Sequence, residues 1–389
     1  MTRPAGDLDM LMGRVQERAE VCHVITGLET GGAERSLYLL LQGEVGRLFR
    51  HRVISLTGAG SYGAMIRDLG IPVTALEMRG RPWRLLRLRL SRMIGHPALV
   101  QGWMYHGNIA ASLAGWRRAR VVWNIRHSLE DLAGESPGTR RAIALSACLS
   151  RRPDRILYNS HQARAQHEAS GFSATAAQVI PNGIDATAFA PDAAARGRLR
   201  RELGLGQTDT VLCHVGRCHP VKGHKILMDA VLPHLRAYPD LHLVMAGAGV
   251  SYDNSALAAP ISENLRMQVH LLGERRDIPD LMAGSDLFAL PSLSEGFPNV
   301  LGEAMAAGLA AVASDVGDCA RVLGQTGRIV PPRDSQALSA AIAALLEAPD
   351  QRRALGQAAR RRVVAEYPLD LSQRSYADLY RALLAPREV

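Results

Sequence analysis

The sequence predicts two α/β domains, each a doubly wound parallel sheet, completed by closing helices. Three observations predict it. The chain of 389 residues is longer than one ordinary hydrophobic core needs and suits two domains of roughly 180 residues each. Short apolar runs alternate with helical stretches through both halves, the pattern of parallel strands joined by crossover helices. A turn cluster, Pro181-Asn182-Gly183-Ile184-Asp185, separates the two series.

The first run, Glu20-Val21-Cys22-His23-Val24-Ile25, leads through Thr26-Gly27-Leu28-Glu29-Thr30-Gly31-Gly32-Ala33-Glu34-Arg35 into a Leu-rich helix from Ser36. Strand, glycine loop and helix form the opening unit of a doubly wound domain. The loop is not G-x-G-x-x-G, so it does not read as a dinucleotide site. Strands follow at 51–56, 73–76, 99–103, 121–125, 155–159 and 177–180. The stretch 186–206 is rich in Ala, Arg and Gly, and the domain boundary is placed there, giving domains at 1–190 and 191–368. The second series has strands at 211–215, 241–246, 269–272, 287–290 and 311–313, with a helix from about Lys225. Pro331-Pro332 marks a break, and 337–347, 351–366 and 372–384 read as closing helices.

A hydrophobic content of 47% with 21% charged residues is that of a globular protein. No apolar run approaches the length of a bilayer span. Asp7, Asp9, Arg14, Glu17 and Arg18 surround only a short apolar patch, so neither a signal peptide nor an anchor is expected there. Five scattered cysteines without C-x-x-C fit a reducing cytoplasm. The net charge of +9 belongs to residues 1–190, which hold 24 Lys and Arg against 15 Asp and Glu, while the remainder holds 22 of each. Such a half suits an anionic partner, a membrane surface or phosphorylated lipid, unless it reflects an arginine-rich composition alone. A nucleic-acid-binding protein is disfavoured: aromatic residues are only 5%, the arginines are not interleaved with them, and no RNA- or DNA-binding motif occurs.

The most informative stretch runs from Ser292 to Gly308. An apolar strand, Asp286-Leu287-Phe288-Ala289-Leu290-Pro291, turns through Gly296 and Pro298 into a helix ending at Gly308. The free amides and positive dipole end of that helix suit a phosphate group. Glu295 and Glu303, eight residues apart, can look toward the same side of it. A carboxylate beside phosphate is unfavourable unless it accepts hydroxyl hydrogen bonds, and sugars supply hydroxyls. The stretch therefore reads as a site for a sugar diphosphate, the alternative being an ordinary helix entry with two solvated glutamates. Earlier, Gly216-Arg217-Cys218-His219-Pro220-Val221-Lys222-Gly223-His224 contains one of only two lysines in the chain, the other being Lys225. Arg217 offers a planar fork and Lys222 a point charge, a pair suited to a diphosphate. The neighbouring Cys213, His214, Cys218, His219 and His224 fit no common zinc spacing, and no metal site is expected.

With these segments in view, the chain resembles the family 4 (group 1) retaining glycosyltransferases of the GT-B fold. Six segments fall in that family's order: Thr30-Gly31-Gly32-Ala33-Glu34, Trp103-Met104-Tyr105-His106, Pro181-Asn182-Gly183-Ile184-Asp185, Gly216-Arg217 with Lys222-Gly223, Leu272-Gly273 through Asp277-Ile278-Pro279, and Ser294-Glu295-Gly296-Phe297-Pro298-Asn299 with Glu303. The resemblance implies two Rossmann-like domains facing a cleft. Residues 1–190 would bind the acceptor and 191–368 the nucleotide sugar, with 369–389 packing back on the first domain. Arg217 and Lys222, with Gly216, would neutralise the diphosphate. The amides around Phe297, Asn299 and Val300, set by Gly296 and Pro298, would cradle its distal phosphate. Glu303 matches the position that takes the ribose hydroxyls and Glu295 the one that meets the donor sugar. The stretch Gly273–Asp277, including Arg275, would frame the base, largely through backbone groups. Gly31 and Gly32 would let the first domain's backbone approach the diphosphate. His106 matches the cleft histidine near the transferred sugar. The catalytic set so implied is His106, Glu295, Arg217 and Lys222, with Arg126 and His127 as acceptor-side candidates. Cys218 and His219 depart from the small or polar residues often found there.

No nucleophile motif is recognisable in the first half, and the only D-x-D is Asp7-Leu8-Asp9 at the start of the chain. The expected mechanism is metal-independent and retaining: Arg217, Lys222 and helix amides stabilise the leaving diphosphate, and no cofactor is needed. The expected donor is a UDP-sugar rather than a GDP-sugar, and the acceptor a glycan or polyprenyl-diphosphate-linked one in cell-surface polysaccharide assembly. Over 79–94, Trp83, Leu86, Leu90, Met93 and Ile94 form one helical stripe among arginines, which suits an anionic membrane surface. The protein is expected in the cytoplasm, peripheral on the inner face of the plasma membrane if that contact is made. Alternatives on the same architecture are a UDP-GlcNAc 2-epimerase, a phosphorylase or an inactive scaffold; the intact Arg217, Lys222, Glu295 and Glu303 set argues against the last.

Overall fold

The computed structural model describes residues 19–29, 31–78, 83–115, 119–130 and 132–386, without the side chains of 83–88 and 133. Thr30 of the first glycine motif, 79–82 of the basic helix, Asp7-Leu8-Asp9 and the outer ends of the expected domain ranges lie outside the described residues. The chain divides into two compact units, 1–182 with 370–389, and 183–369.

The first unit is built on a seven-stranded sheet in the order β3-β2-β1-β4-β5-β6-β7. Its strands are β1 (Glu20–Ile25), β2 (Arg50–Ser55), β3 (Val73–Ala75), β4 (Leu99–Trp103), β5 (Arg120–Ile125), β6 (Arg155–Tyr158) and β7 (Ala177–Val179). All pairings are parallel, with Val21 opposite His51 on one side and Leu99 on the other. Apolar residues on both faces of the strands explain the uninterrupted runs in the sequence: Cys22 and Val24 enter one core, Val21 and Ile25 the other. Because β1 lies between β2 and β4, the chain reverses its winding at β1 and β4. The loops after those strands stand at the sheet's topological switch point, where such sheets bind ligands.

The second unit has a six-stranded parallel sheet, β10-β9-β8-β11-β12-β13. Its strands are β8 (Thr210–Val215), β9 (Leu241–Ala246), β10 (Val269–Leu271), β11 (Leu287–Leu290), β12 (Ala310–Ser314) and β13 (Arg328–Val330). Alternation again feeds two cores, Phe288 and Leu290 on one face, Leu287 and Ala289 on the other. Here the switch point lies between β8 and β11, so the two loops singled out from the sequence, 216–223 and 291–298, both emerge there.

Several expectations are corrected. The units divide at 182/183 rather than 190/191, because the second half of the turn cluster is tied to the second unit. Ile184 pairs with Pro368, and a Cβ on Gly183 would come 2.3 Å from Leu369 Cα. The Ala/Arg/Gly stretch taken as a boundary holds a helix, Ala193–Leu203. Asp192 caps it by accepting from the Ala194 amide at 2.7 Å, and Gly204 ends it at φ +68°. The first helix starts at Gly32, with Gly31 as its N-cap, not at Ser36. Strand β13 was not expected at all: it has three residues, starts with Arg328, and lies at the sheet edge.

The last helix, Leu369–Leu384, belongs to the first unit from Asp370 onward and buries Tyr376, Ala377, Tyr380 and Leu383. Asn124 Nδ2 donates to Tyr376 Oη at 2.7 Å, and Tyr380 Oη donates to Gln101 Oε1. The basic helix is present as Trp83–Ile94, but Leu90 and Ile94 are buried in the first unit and Met93 packs against the same core. That part of the stripe is spent on the fold and is not turned to a membrane. Among the described residues, no helix is long and apolar enough to cross a membrane.

Candidate functional site

In the second unit the loop after β8 is fixed by backbone pairing. Gly216 and Cys218 donate to Ala246 and Ala248 oxygens at 2.9 and 2.7 Å. A short 3-10 turn, Pro220–Lys222, then ends at Gly223, whose φ of +66° and lack of a Cβ are both required. A Cβ there would lie 2.0 Å from Pro291 O at the end of β11. The Leu293 amide donates to Val221 O at 2.7 Å, completing the contact of the two switch-point loops. Lys222 is thereby brought to Glu295. Its Nζ lies 2.6 Å from Glu295 Oε1, which also accepts from Ser292 Oγ at 2.7 Å. The two side chains are 24% and 11% exposed, so the pair sits at the rim and not in the core. Arg217 is exposed, and its guanidinium makes no ion pair among the described residues.

The helix after β11 spans Asn299–Ala306, with Pro298 at its N-cap and no side-chain cap. The Asn299 amide donates to Phe297 O, and those of Leu301 and Gly302 to Pro298 O. No backbone bond engages the Phe297 or Val300 amides among the described residues. The Phe297 side chain is buried and packs on Tyr367 at 5.6 Å between ring centroids, which anchors the turn. Gly296 O accepts from the Asp318 amide at 3.2 Å, and Gly317, at φ +53°, has no room for a Cβ, which would lie 2.1 Å from Glu295 O. Glu303, inside the helix, is buried with 6% exposure. Lys222, Glu295, Gly296 and the start of the Glu303 helix thus share one end of one sheet.

Gly273 and Arg275 are placed differently from the rest. Gly273, at φ +68°, spends both backbone groups internally, its amide on Val250 O and its carbonyl on the Gly247 amide, each at 2.7 Å. The Arg275 guanidinium is shared between Asp277, at 2.8 Å from Nε, and Glu202, which holds its pKa above the ordinary range. It ties the helix Ala193–Leu203 to the loop after β10. Glu202 was missed in the sequence because it sits in the stretch where the domain boundary was placed.

In the first unit, His106 lies in the first turn of the helix Met104–Gly115, directly after β4. It is half-buried, and burial pushes its pKa below that of a free histidine, so its ring is neutral at neutral pH. Met104, which opens that helix two residues earlier, has φ +62°, a left-handed conformation costing a non-glycine residue about 1–2 kcal/mol. Gly31 is half-buried beside Glu34, and Gly32 is exposed with open space where a Cβ would be. Arg126 is turned inward. Its guanidinium donates to Ser36 Oγ at 2.7 Å, to Asn124 Oδ1 and Tyr376 Oη at 3.3 Å each, and to Asn182 Oδ1, and it lies 5.6 Å from the centre of the Trp103 ring. Burial lowers its pKa, with Tyr376 and Glu34 acting against the shift. Four neutral oxygens thus hold a desolvated cation in the scaffold. His127, its neighbour, bonds Tyr105 and Glu135, partners the sequence did not single out. Among the described residues, no cluster of three His, Cys, Asp or Glu is placed to hold a metal ion.

Residues 209–348 match the family described as glycosyl transferases group 1, and residues 30–188 that described as glycosyltransferase family 4. The chain is similar to the GDP-mannose-dependent alpha-(1-6)-phosphatidylinositol monomannoside mannosyltransferase of Mycobacterium tuberculosis. The two are 30% identical over 369 residues, covering 87% of this chain and 92% of that one. It is 29% identical over 289 residues to the lipopolysaccharide core biosynthesis mannosyltransferase LpcC of Rhizobium leguminosarum, covering 69% of this chain and 80% of that one. Among solved structures, Anabaena HepE in complex with UDP-glucose superposes with a TM-score of 0.81 at 22% identity, covering 94% of this chain and all of that one. That likeness shows the fold.

Proposed function

The chain belongs to the family 4, group 1 glycosyltransferases, and from that premise we propose that it moves a sugar from a nucleoside-diphosphate sugar to a glycan or lipid-linked acceptor, with retention of configuration and without a metal ion. The observation that carries the proposal is the Lys222–Glu295 pair at the switch point of the second sheet. A cation and a carboxylate held 2.6 Å apart at the rim, next to the Phe297 and Val300 amides that make no backbone bond among the described residues, can separate onto a diphosphate and a sugar hydroxyl.

In this reading Lys222 and the exposed Arg217 stabilise charge on the leaving diphosphate, aided by the Phe297 and Val300 amides. Glu295 accepts from hydroxyls of the donor sugar and Glu303 from the ribose. The departing phosphate oxygen takes the acceptor's hydroxyl proton on the face it leaves, which gives retention. His106, a neutral imidazole at the end of β4, accepts a hydroxyl hydrogen bond of the transferred sugar. Gly31 and Gly32 keep the β1 loop low enough for the diphosphate. Arg275, bound to Glu202 and Asp277, acts on the base only by holding its loop, and Arg126 acts through the scaffold rather than by direct contact with the acceptor.

The uridine donor expected from the sequence stands beside a second reading, GDP-mannose, which is favoured by the named relatives that use it. The test is transfer from UDP-glucose and GDP-mannose to a membrane lipid extract, with and without EDTA, and with the anomeric configuration of the product read by NMR. The reading predicts an unchanged anomer and full activity in EDTA. Loss of transfer in EDTA, or an inverted product, overturns the proposed mechanism. Release of UDP from UDP-GlcNAc with no acceptor present would instead favour the 2-epimerase.

A further inference from the structure

Residues 1–190 carry the chain's whole excess of positive charge, 24 Lys and Arg against 15 Asp and Glu, and the site proposed above uses little of it. A cavity of about 650 Å³ in the first unit gives part of that charge a place. It opens between two loops, 150–154 and 170–176, that lead into β6 and the edge strand β7. The strands of this sheet are parallel, so these loops stand at the end of the sheet opposite the loops after β1 and β4. The walls are fixed by the fold itself. Ser150 Oγ donates to Ala147 O at 2.7 Å and accepts from the Ser173 amide at 2.8 Å, which ties one loop to the other. Phe172 is buried, its ring edge-on to His167 at 4.9 Å. The one carboxylate of the lining, Asp154, is already spent: it accepts from Arg120 Nη1 at 2.9 Å and from the Val121 amide at 2.8 Å. The donors of the lining are not spent. Arg151 and Arg155 are exposed, and neither makes an ion pair among the described residues; Arg155 gives one N–H to the neutral Asp154 carbonyl at 2.7 Å. The amides of Ala174, Thr175 and Ala176, successive in the second loop, make no backbone hydrogen bond among the described residues.

We propose that this cavity is a second ligand site, and that it takes a phosphate monoester, carried by a soluble sugar or by a lipid headgroup. The chemistry follows from the donors. A guanidinium presents a planar fork that meets phosphate oxygens in pairs, and successive unengaged amides form the concavity that backbone offers to anions. The Arg151 and Arg155 guanidiniums together with the 174–176 amides hold more donors than the two oxygens of a carboxylate can accept, whereas a phosphate monoester brings three oxygens and about two negative charges. The volume exceeds that of a phosphate alone and falls within the range of small-molecule sites, about 300–1,000 Å³, so the rest of the ligand has room beside the Ser173 and Thr175 hydroxyls. Walls tied together by Ser150 and anchored by Phe172 need little rearrangement on binding. Set away from the loops after β1 and β4, the site does not depend on the sugar-transfer reading.

The test is calorimetric titration of inorganic phosphate and of glucose 6-phosphate into the full-length protein at constant ionic strength. Arg151→Ala/Arg155→Ala should weaken binding at least about 10-fold. Both side chains are exposed, so the thermal midpoint should be kept. Arg140→Ala/Arg141→Ala, on the helix Pro137–Leu149, removes the same charge outside the lining and should leave the affinity within about twofold. Arg217→Ala/Lys222→Ala, which disables the proposed donor site, should also leave it unchanged. Three results overturn the proposal: no binding by the wild-type protein, an equal loss in the Arg140→Ala/Arg141→Ala variant, which makes the effect one of overall charge, or a loss only in the Arg217→Ala/Lys222→Ala variant, which moves it to the donor loop. Sedimentation with phosphatidylcholine vesicles, with and without phosphatidic acid, separates the sources. Binding that requires phosphatidic acid and is abolished by Arg151→Ala/Arg155→Ala supports the site with a headgroup as its ligand. Phosphate binding without vesicle binding supports it with a soluble phosphorylated ligand. Absence of sugar transfer would count against the proposed function and leave these titrations standing.

Discussion

Replacing Lys222 by alanine separates a structural ion pair from a catalytic one, because the two readings predict losses of different size. Nζ and Oε1 lie 2.6 Å apart, which at an effective dielectric of ~20 is a gross attraction of about 6 kcal/mol. Most of that is offset by desolvation. Exposed pairs contribute about 0.2–1 kcal/mol, while breaking a wholly buried pair costs about 3–5 kcal/mol. With side chains 24% and 11% exposed, and Ser292 Oγ still donating to Glu295, this pair belongs between the two, at about 1–2 kcal/mol. In a unit of this size the unfolding midpoint should fall by about 2–8 °C. Turnover should fall further, by about 10²–10³-fold or about 3–4 kcal/mol, because the charge on the leaving diphosphate loses its point cation. Lys225→Ala is the control: that side chain is 85% exposed and pairs with Asp229, so neither quantity should move. Thermal unfolding and steady-state transfer measured on the same preparations decide the matter. Turnover of Lys222→Ala within about twofold of wild type would refute the role given to this residue.

Three further outcomes follow from the same geometry. Glu303→Gln should weaken nucleotide-sugar binding about 10-fold and Glu295→Gln should mainly lower turnover; equal loss of nucleotide affinity in both, by calorimetry, would remove the division of labour. Gly223→Ala puts a Cβ into Pro291 O at a left-handed backbone position and should cost about 3 kcal/mol, with a midpoint about 6–12 °C lower; an unchanged midpoint would contradict the loop contact. The buried His23–His51 pair should make the first unit acid-sensitive. Trp103 Nε1 donates to His23 Nδ1, so His23 Nε2 donates to His51 Nδ1 and His51 Nε2 to Val45 O, leaving both rings neutral. Burial lowers His51 to about 4, below its unfolded value, so the unfolded state takes up the proton first as pH falls. Neither ring affects stability above about pH 6.5; from there toward about 4 His51 should remove about 1.4 kcal/mol per pH unit, and His23, also lowered by burial, adds to the decline. Urea unfolding across that range checks it, and a slope that His51→Gln leaves unchanged would contradict the assignment.

What could be read from the sequence follows from where burial is two-sided. The run 287–290 is apolar at every position, and 20–25 and 241–246 are mostly so, because both faces of their strands enter a core, so their bounds were legible to the residue. Strand β13 has one buried residue of three, and the helix Ala193–Leu203 is carried by Asp192, Gly204 and the burial of Ala195, Leu199 and Arg200, signals too sparse for a periodic pattern. The site loops were legible as glycine and charge patterns, but their partners were not. Lys222 meets Glu295 across 73 residues, and Arg126 meets Tyr376 across 250. Those distances also explain why Arg126 and Arg275, plausible ligand-binding arginines by type, are spent within the fold.

The measurement closest to the central claim is a thermal-shift titration of UDP-sugars and GDP-mannose against the wild-type chain and the Arg217→Ala/Lys222→Ala double variant. The account predicts that one nucleotide sugar at about one hundred times its dissociation constant stabilises the wild-type protein by about 2.7 kcal/mol, and that the double variant loses most of this shift. No shift with any nucleotide sugar, or the same shift in the double variant, would contradict it.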